Sequence, residues 1–523
     1  MKMPTVSTRW LSLTYMGLCL GYTFATLAII NHWFMLPVAA LWVAIAWRFR
    51  WGHPQQRSST RRIWPWSLIP LALWWIYLYL DDSFGKLDLG AVIFHLQAGM
   101  TEHGGQRRVW AAFVFTLCGL LMLAAVTYLV RHDHRWRLWE RVAAIFLLAF
   151  NPLLFGLSQR GASVVTEGHW LRDHYRSPDI VASPNTRPNL IYLYLESTER
   201  TYADRDTFGD AYEDLIALGK RGTVFEGLKQ LDNTGWTTAG MVATQCGVPL
   251  IPAGLMHDNQ FEPLDAVLPH TQCMGDLLNA QGYHLTYMGG ASTRFAGKKV
   301  FYEGHGFDTV LGRDELEDDV TPPGYLNDWG LYDDTLLNMA TERIRKLAED
   351  DNHQPYAMFA LTLAAHPPFG NPSQSCRDNQ GKFDGVDILY SVKCTGWLVR
   401  RFLKRLDREG LLDNTLVVIS SDHLSMKNSE WPQLVDAKRE NTFMMLGKGI
   451  PAAERIQRRA SMVDVYPTVL EAMGFKLDSR AAGLGRSLFA EAPTLVEKYG
   501  LETINDYMAQ EDALQSYMWK GVN

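Results

Sequence analysis

Residues 189–197 read NLIYLYLES. An apolar, β-prone run stops abruptly at Glu196 and Ser197. The same design returns at HLTYMGG (284–290), YAMFALTL (356–363), TLVVISSD (415–422) and TFMML (442–446). Helical patterns separate these runs, at 210–221, 237–246, 272–281, 333–350, 387–410 and 461–473. Strands alternating with helices predict an α/β domain on a mostly parallel sheet. We place that domain at 188–523, ample length for one large core. Residues after about 490 support no assignment.

In open α/β sheets, ligands bind at the carboxyl ends of the strands. The residues that follow each run are therefore the informative ones: Glu196 after the first, His366 after LTLAA, Asp422 and His423 after LVVISS. Carboxylates and imidazoles suit a divalent cation. A strand-end Asp alone is more often a cap or turn former, and a lone His more often structural. Convergence on one sheet edge is what gives the set weight.

A helix starting at Thr237 in GWTTAGMVATQC (235–246) would present free N–H groups and a positive dipole end, which favour an anion such as phosphate. Threonine is also a good N-cap, and caps need no function. A hydroxyl is a poor nucleophile at neutral pH unless a bound cation lowers its pKa. Glu196, Thr237, Asp422 and His423 thus form a coherent set of one cation and one activated hydroxyl.

The 523 residues carry a formal net charge of −6, which argues against a nucleic-acid partner. The mean hydropathy of −0.11 averages two unlike parts. Apolar runs at about 11–30, 33–48, 64–80, 109–130 and 141–158 read as five membrane spans, with a transmembrane domain over 1–158 and a linker over 159–187. The basic loops 48–62 and 131–141 flank an acidic loop at 81–90, which puts the N-terminus in the cytoplasm and everything after about 160 outside. Residues 85–108 include a stretch about one amphipathic helix long, which suits the outer membrane surface or a packed loop equally. Two of the six cysteines, Cys19 and Cys118, fall in the spans. Cys246, Cys273, Cys376 and Cys394 fall in the exported part, where disulfides form. Sequence proximity favours Cys246–Cys273 and Cys376–Cys394, with two other pairings open.

LES (195–197), GWTTA (235–239) and SSDH (420–423) together resemble the membrane-anchored phosphotransferase branch of the alkaline phosphatase/sulfatase superfamily. Lipoteichoic acid synthases and the phosphoethanolamine transferases of lipid A belong to it. YLESTERTY (194–202), TTAGMVATQCGVPL (237–250), GGASTRFAGK (289–298) and SSDHLSMKNSEW (420–431) resemble, within that branch, the phosphoglycerol transferases that modify osmoregulated periplasmic glucans. DVYPTVLEAMG (464–474) is similar to a C-terminal element of the superfamily. The likeness spans about 187–490; the membrane part matches in architecture more than in sequence.

The resemblance implies an enzyme with a sulfatase-like periplasmic domain on a bacterial inner-membrane anchor. Its threonine takes the head group from phosphatidylglycerol, releases diacylglycerol, and passes phosphoglycerol to a periplasmic glucan. Carried over, Glu196, Asp422 and His423 are metal ligands, and Thr237 is both nucleophile and fourth ligand. Mn²⁺ and Zn²⁺ suit this ligand set better than Mg²⁺. Thr237 is preferred to Thr238 because it directly follows the Gly-Trp element. His366 matches a histidine that contacts phosphate or serves as acid/base. Arg294 and Lys298 sit where relatives hold the head-group phosphate, and Trp236 is expected to bind substrate with them. Lipoteichoic acid synthases have a Trp and an Arg where this chain has FAGK; the plain alternative for Arg294 and Lys298 is a solvated basic loop. Phosphoethanolamine transfer is the alternative activity, and a silent lipid- or glycan-binding membrane protein a third reading. CGVPL (246–250) resembles the C-x-P-x-R sequence that sulfatases oxidise to formylglycine, but its proline is one place late and no arginine follows.

Overall fold

The computed structural model describes residues 168–251, 265–349, 354–379, 387–509, 511 and 513–521, with isolated positions at 69–70, 72–73, 75–77, 79, 113–120, 145, 148–149, 151 and 154. The chain divides into two units, residues 1–77 with 112–154, and 78–111 with 155–523. Most of the expected spans, the 85–108 stretch and Cys19 lie outside the described residues. In the first unit the Trp75 and Phe115 rings lie 5.1 Å apart. Among the described residues no helix is long and apolar enough to cross a membrane.

The second unit is built on an eight-stranded sheet. Its strands are β2 (Asn189–Leu195), β3 (Thr223–Lys229), β4 (His284–Gly289), β5 (Thr309–Leu311), β6 (Tyr356–Leu361), β7 (Thr415–Ser421), β8 (Phe443–Gly447) and β9 (Glu454–Ser461); a short β1 (Ile180–Ala182) lies apart. The order is β5-β4-β6-β2-β7-β8-β3-β9. β8 runs antiparallel to both neighbours and every other pairing in the sheet is parallel. The mostly parallel α/β architecture is therefore as the sequence predicts.

Two cores cover the two faces. Along β2, Leu190, Tyr192 and Tyr194 enter one core, while Ile191, Leu193 and Leu195 enter the other. A strand buried on both faces reads as a continuous apolar run, which is why NLIYLYL was legible. Helices Thr237–Cys246, Met274–Ala280 and Val465–Ala472 contribute to the first core, and Glu213–Gly219, Asp333–Ala348 and Ile388–Arg408 to the second.

The stretch expected as bare linker is partly folded: it carries the helix Trp170–His174 and β1, which pairs with Lys476–Leu477. The tail after 490 folds as the helices Leu495–Tyr499, Leu501–Met508 and Ala513–Lys520.

Candidate active site and metal centre

Leu195 pairs with Ser421 at the carboxyl ends of β2 and β7. The register puts the next residues, Glu196 and Asp422, side by side. Glu196, Asp422 and His423 are all buried and offer ligand atoms within 4.8 Å of one another. His423 Nε2 lies 3.3 Å from Asp422 Oδ2 and 3.6 Å from Glu196 Oε1.

Each carboxylate is held from behind. Asp422 Oδ1 accepts the N–H groups of Ser197 and His423, each at 2.8 Å. Glu196 Oε1 accepts the Ser197 hydroxyl at 2.9 Å. Glu196 N–H donates to Thr362 Oγ1 at 3.1 Å. Ser197 takes a left-handed conformation, φ 52°, as the chain leaves the strand.

Helix Thr237–Cys246 delivers the hydroxyls. Its N-cap, Trp236, is extended and buried. Thr237 is half-buried, with Oγ1 3.4 Å from Glu196 Oε2. Thr238 is fully buried and donates to the Ala296 carbonyl at 2.8 Å. The helix approaches the end of β7 closely, since a Cβ on Gly240 would lie 1.7 Å from the Asp422 carbonyl oxygen.

The electrostatics point to a cation. Burial, with the charge of Asp422 adding to it, raises the Glu196 carboxyl to about 8. Burial raises Asp422 to about 6. Burial holds His423 below the usual imidazole range, so its ring is neutral and can act as a ligand. Asp422 Oδ2 and His423 Nε2 are buried and make no hydrogen bond. Two buried carboxylates and an imidazole facing one another, with Asp422 Oδ2 and His423 Nε2 left without hydrogen bonds, fit a divalent cation.

The remaining sequence candidates divide. Lys298 is buried, with Nζ donating to the Phe295 carbonyl at 2.8 Å. Burial lowers it to about 8, against the pull of Glu196 and Asp422. Arg294 is exposed and ion-paired to Asp314 at 3.3 Å. His366 is half-buried, bonds the Pro367 carbonyl through Nδ1 at 2.8 Å, and packs on Trp329 at 4.0 Å between ring centroids. Trp329 also meets Phe295 edge-on at 5.7 Å. Sequence reasoning missed Trp329; the signal was NDWGLYDD, a turn placed just before a helix.

Cys246 is bonded to Cys273, and Cys376 to Cys394. Cys246 is thus unavailable for oxidation to formylglycine. Cys273, Asp276 and His305 also cluster, but the Cys273 sulfur is in the disulfide. His305 is satisfied by Asp276 at 2.8 Å and the Val267 carbonyl at 2.9 Å, so that cluster is structural.

The sulfatase family model matches residues 188–475. Phosphoglycerol transferase I of Citrobacter koseri is 33% identical over 421 residues, covering 79% of this chain and 54% of the relative. The chain thus spans about half the length of that relative. A Vibrio parahaemolyticus protein of the alkaline phosphatase superfamily is similar at a TM-score of 0.49 and 21% identity, over 65% of this chain and 79% of that one. The lipoteichoic acid synthase LtaP from Listeria monocytogenes follows at 0.46 and 19%, over 59% and 78%.

Proposed function

The chain belongs to the sulfatase family, and on that premise we propose that it is a membrane-anchored phosphoglycerol transferase. It takes the head group of phosphatidylglycerol, releases diacylglycerol, and passes phosphoglycerol to a periplasmic glucan. The observation that carries this reading is the half-buried Thr237 hydroxyl at a helix N-terminus, 3.4 Å from Glu196 in the buried Glu196–Asp422–His423 cluster. The name and similarity of the Citrobacter koseri relative support the choice of head group.

Glu196, Asp422, His423 and Thr237 would hold one Mn²⁺ or Zn²⁺. The bound cation supplies a lowered hydroxyl pKa and neutralises charge on the phosphate. Thr237 gives its hydroxyl proton to solvent, Oγ1 attacks phosphorus, and the bond to the diacylglycerol oxygen breaks. His366 gives that oxygen its proton. The helix N-terminus and Lys298 hold the phosphate, Lys298 as a point charge without the fork of an arginine. An acceptor hydroxyl then gives its proton to His366 and its oxygen bonds phosphorus; the bond to Thr237 Oγ1 breaks, Oγ1 takes a proton back from solvent, and the enzyme returns to its starting state. Arg294 reaches the head group only by leaving Asp314. Trp236 sets the start of the nucleophile's helix. The membrane anchor, with the N-terminus in the cytoplasm and residues 188–523 in the periplasm, keeps the site where the lipid donor is concentrated.

Product analysis tests this. Purified protein receives phosphatidylglycerol or phosphatidylethanolamine in detergent, with Mn²⁺ or with EDTA, and diacylglycerol is measured by mass spectrometry. Metal-dependent release from phosphatidylglycerol alone is expected. Release from phosphatidylethanolamine alone would make the protein a phosphoethanolamine transferase with the same catalytic residues. Release from neither, with glucan supplied, would overturn the reading.

A further inference from the structure

Behind the cation cluster, one buried ion pair joins three loops. Glu199 lies just beyond Glu196 and its side chain is 0% exposed, against 19% for its partner Arg439. Arg439 Nε lies 3.1 Å from each Glu199 oxygen, and Nη2 lies 2.9 Å from Oε2. The same Nη2 donates to the Ser425 carbonyl at 2.5 Å, two residues past His423. The guanidinium is covered by the Trp431 ring at 5.3 Å.

Shorter bonds stitch the same segments. The Arg200 N–H donates to the Glu440 carbonyl at 2.8 Å. The Glu440 N–H donates to Thr201 Oγ1 at 3.0 Å, and the Thr442 hydroxyl to the Thr198 carbonyl at 2.6 Å. Asn428 Nδ2 bonds both Ser425 Oγ, at 2.7 Å, and the Tyr202 hydroxyl, at 3.2 Å. Residues 196–203 and 422–428 are thus both tied to 439–442.

A buried ion pair contributes little net stability, because desolvating both charges offsets their attraction. What it does fix is geometry. We propose that Glu199 and Arg439 are a positioning pair, holding the Glu196 loop and the Asp422–His423 loop at the separation a divalent cation requires. The inference rests on the reading of that cluster as a cation site, and it needs no assumption about donor or acceptor. Outer partners of metal ligands typically change affinity by about 10–100-fold when removed.

Charge and position make different predictions. Acting through charge alone, Glu199→Gln leaves an unbalanced guanidinium and weakens cation binding, whereas Arg439→Gln leaves an unbalanced carboxylate and strengthens it. Acting through position, both weaken it. The test titrates metal-stripped full-length protein with Mn²⁺ by calorimetry, comparing wild type with Glu199→Gln, Arg439→Gln and Arg439→Lys, while thermal unfolding in EDTA reports the fold. All three variants are expected to lose about tenfold or more in affinity while unfolding cooperatively. Opposite signs for the two Gln variants, or affinities within about twofold of wild type, would overturn the proposal. If the Gln variants do not fold, Arg439→Lys decides alone, because it keeps the charge and loses the fork. Wild type that takes up neither Mn²⁺ nor Zn²⁺ would overturn the cation site itself, and the pair's role with it.

Discussion

Thr237 and Thr238 are neighbours in sequence, and their surroundings separate them. The Thr238 hydroxyl is committed to the Ala296 carbonyl, whereas Thr237 faces Glu196 and is reachable. Thr237→Ala should lower diacylglycerol release by roughly 10³-fold or more, with Mn²⁺ still bound by the three remaining ligands. Thr238→Ala should cost about 1 kcal/mol of stability and leave turnover within a few-fold. Near-normal turnover in Thr237→Ala would exclude the proposed intermediate. Lys298 supplies a pH signature. Its folded pKa, about 8, lies below the ordinary 10.5, so the ammonium proposed to bind phosphate is lost as pH rises through 8. KM for the lipid should therefore climb above pH 8, and Lys298→Arg should move that rise upward. The stability term has the opposite sign. Between about 8 and 10.5 the unfolded chain binds the proton that folded Lys298 has released, so this group's contribution to stability rises with pH. A climb in KM without a fall in Tm separates the two effects.

At the level of elements, helix Thr237–Cys246 was legible to the residue, because an uncharged run of small side chains stops at Gly247, which takes the left-handed conformation that suits a C-cap. β9 was not, because ERIQRRAS is an edge strand whose exposed face is charged, so no apolar run marks it. β3 was hidden by Glu226 and by a register shift around Gly227, φ 88°. Lys298, for which a solvated basic loop is the plain alternative to a phosphate contact, begins the helix Lys298–Gly304, which is entered through two left-handed residues, Ala296 and Gly297. What sequence patterns cannot supply is how closely elements approach. Gly240→Ala should force helix Thr237–Cys246 off the end of β7, costing about 3 kcal/mol or more and weakening Mn²⁺ binding, measurable by denaturation and calorimetry. Asp333 acts between elements too. Buried at the start of Asp333–Ala348, it accepts the Leu363 N–H at 2.6 Å and the Ala364 N–H at 3.2 Å, just before His366. Asp333→Asn should lower kcat by about tenfold through misplacement of His366, with Mn²⁺ affinity unchanged. A loss of metal instead would tie Asp333 to the cation cluster.

Across the whole second unit, the clustered Glu196, Asp422 and His423 were legible as strand-end residues, while the parts that hold them in place come from far along the chain. The tail is the clearest case. Glu511 accepts the Leu171 N–H at 2.9 Å across 340 residues, a pairing no local pattern encodes. Trp519 Nε1 donates to the Ile251 carbonyl at 2.8 Å, and Asn505 Oδ1 accepts the Asp232 N–H at 3.0 Å. The tail thus braces the chain on both sides of Thr237–Cys246. It also buries Val496, Ile504, Met508, Leu514 and Met518. Losing the burial those side chains provide, and uncovering the core they pack on, costs on the order of 10 kcal/mol, comparable to the total stability of a domain. Removal of residues 495–523 should therefore leave a protein that does not fold, seen as lost cooperative unfolding. Asn505→Ala separates bracing from bulk. It removes the acceptor of the Asp232 N–H and little apolar area, so Tm should fall by a few degrees. If the brace positions the helix, kcat should fall several-fold at saturating Mn²⁺ with KM unchanged. A fall in Tm with kcat intact would reduce the tail to packing, and Thr237 would owe its place to Gly240 and the Cys246–Cys273 bond alone.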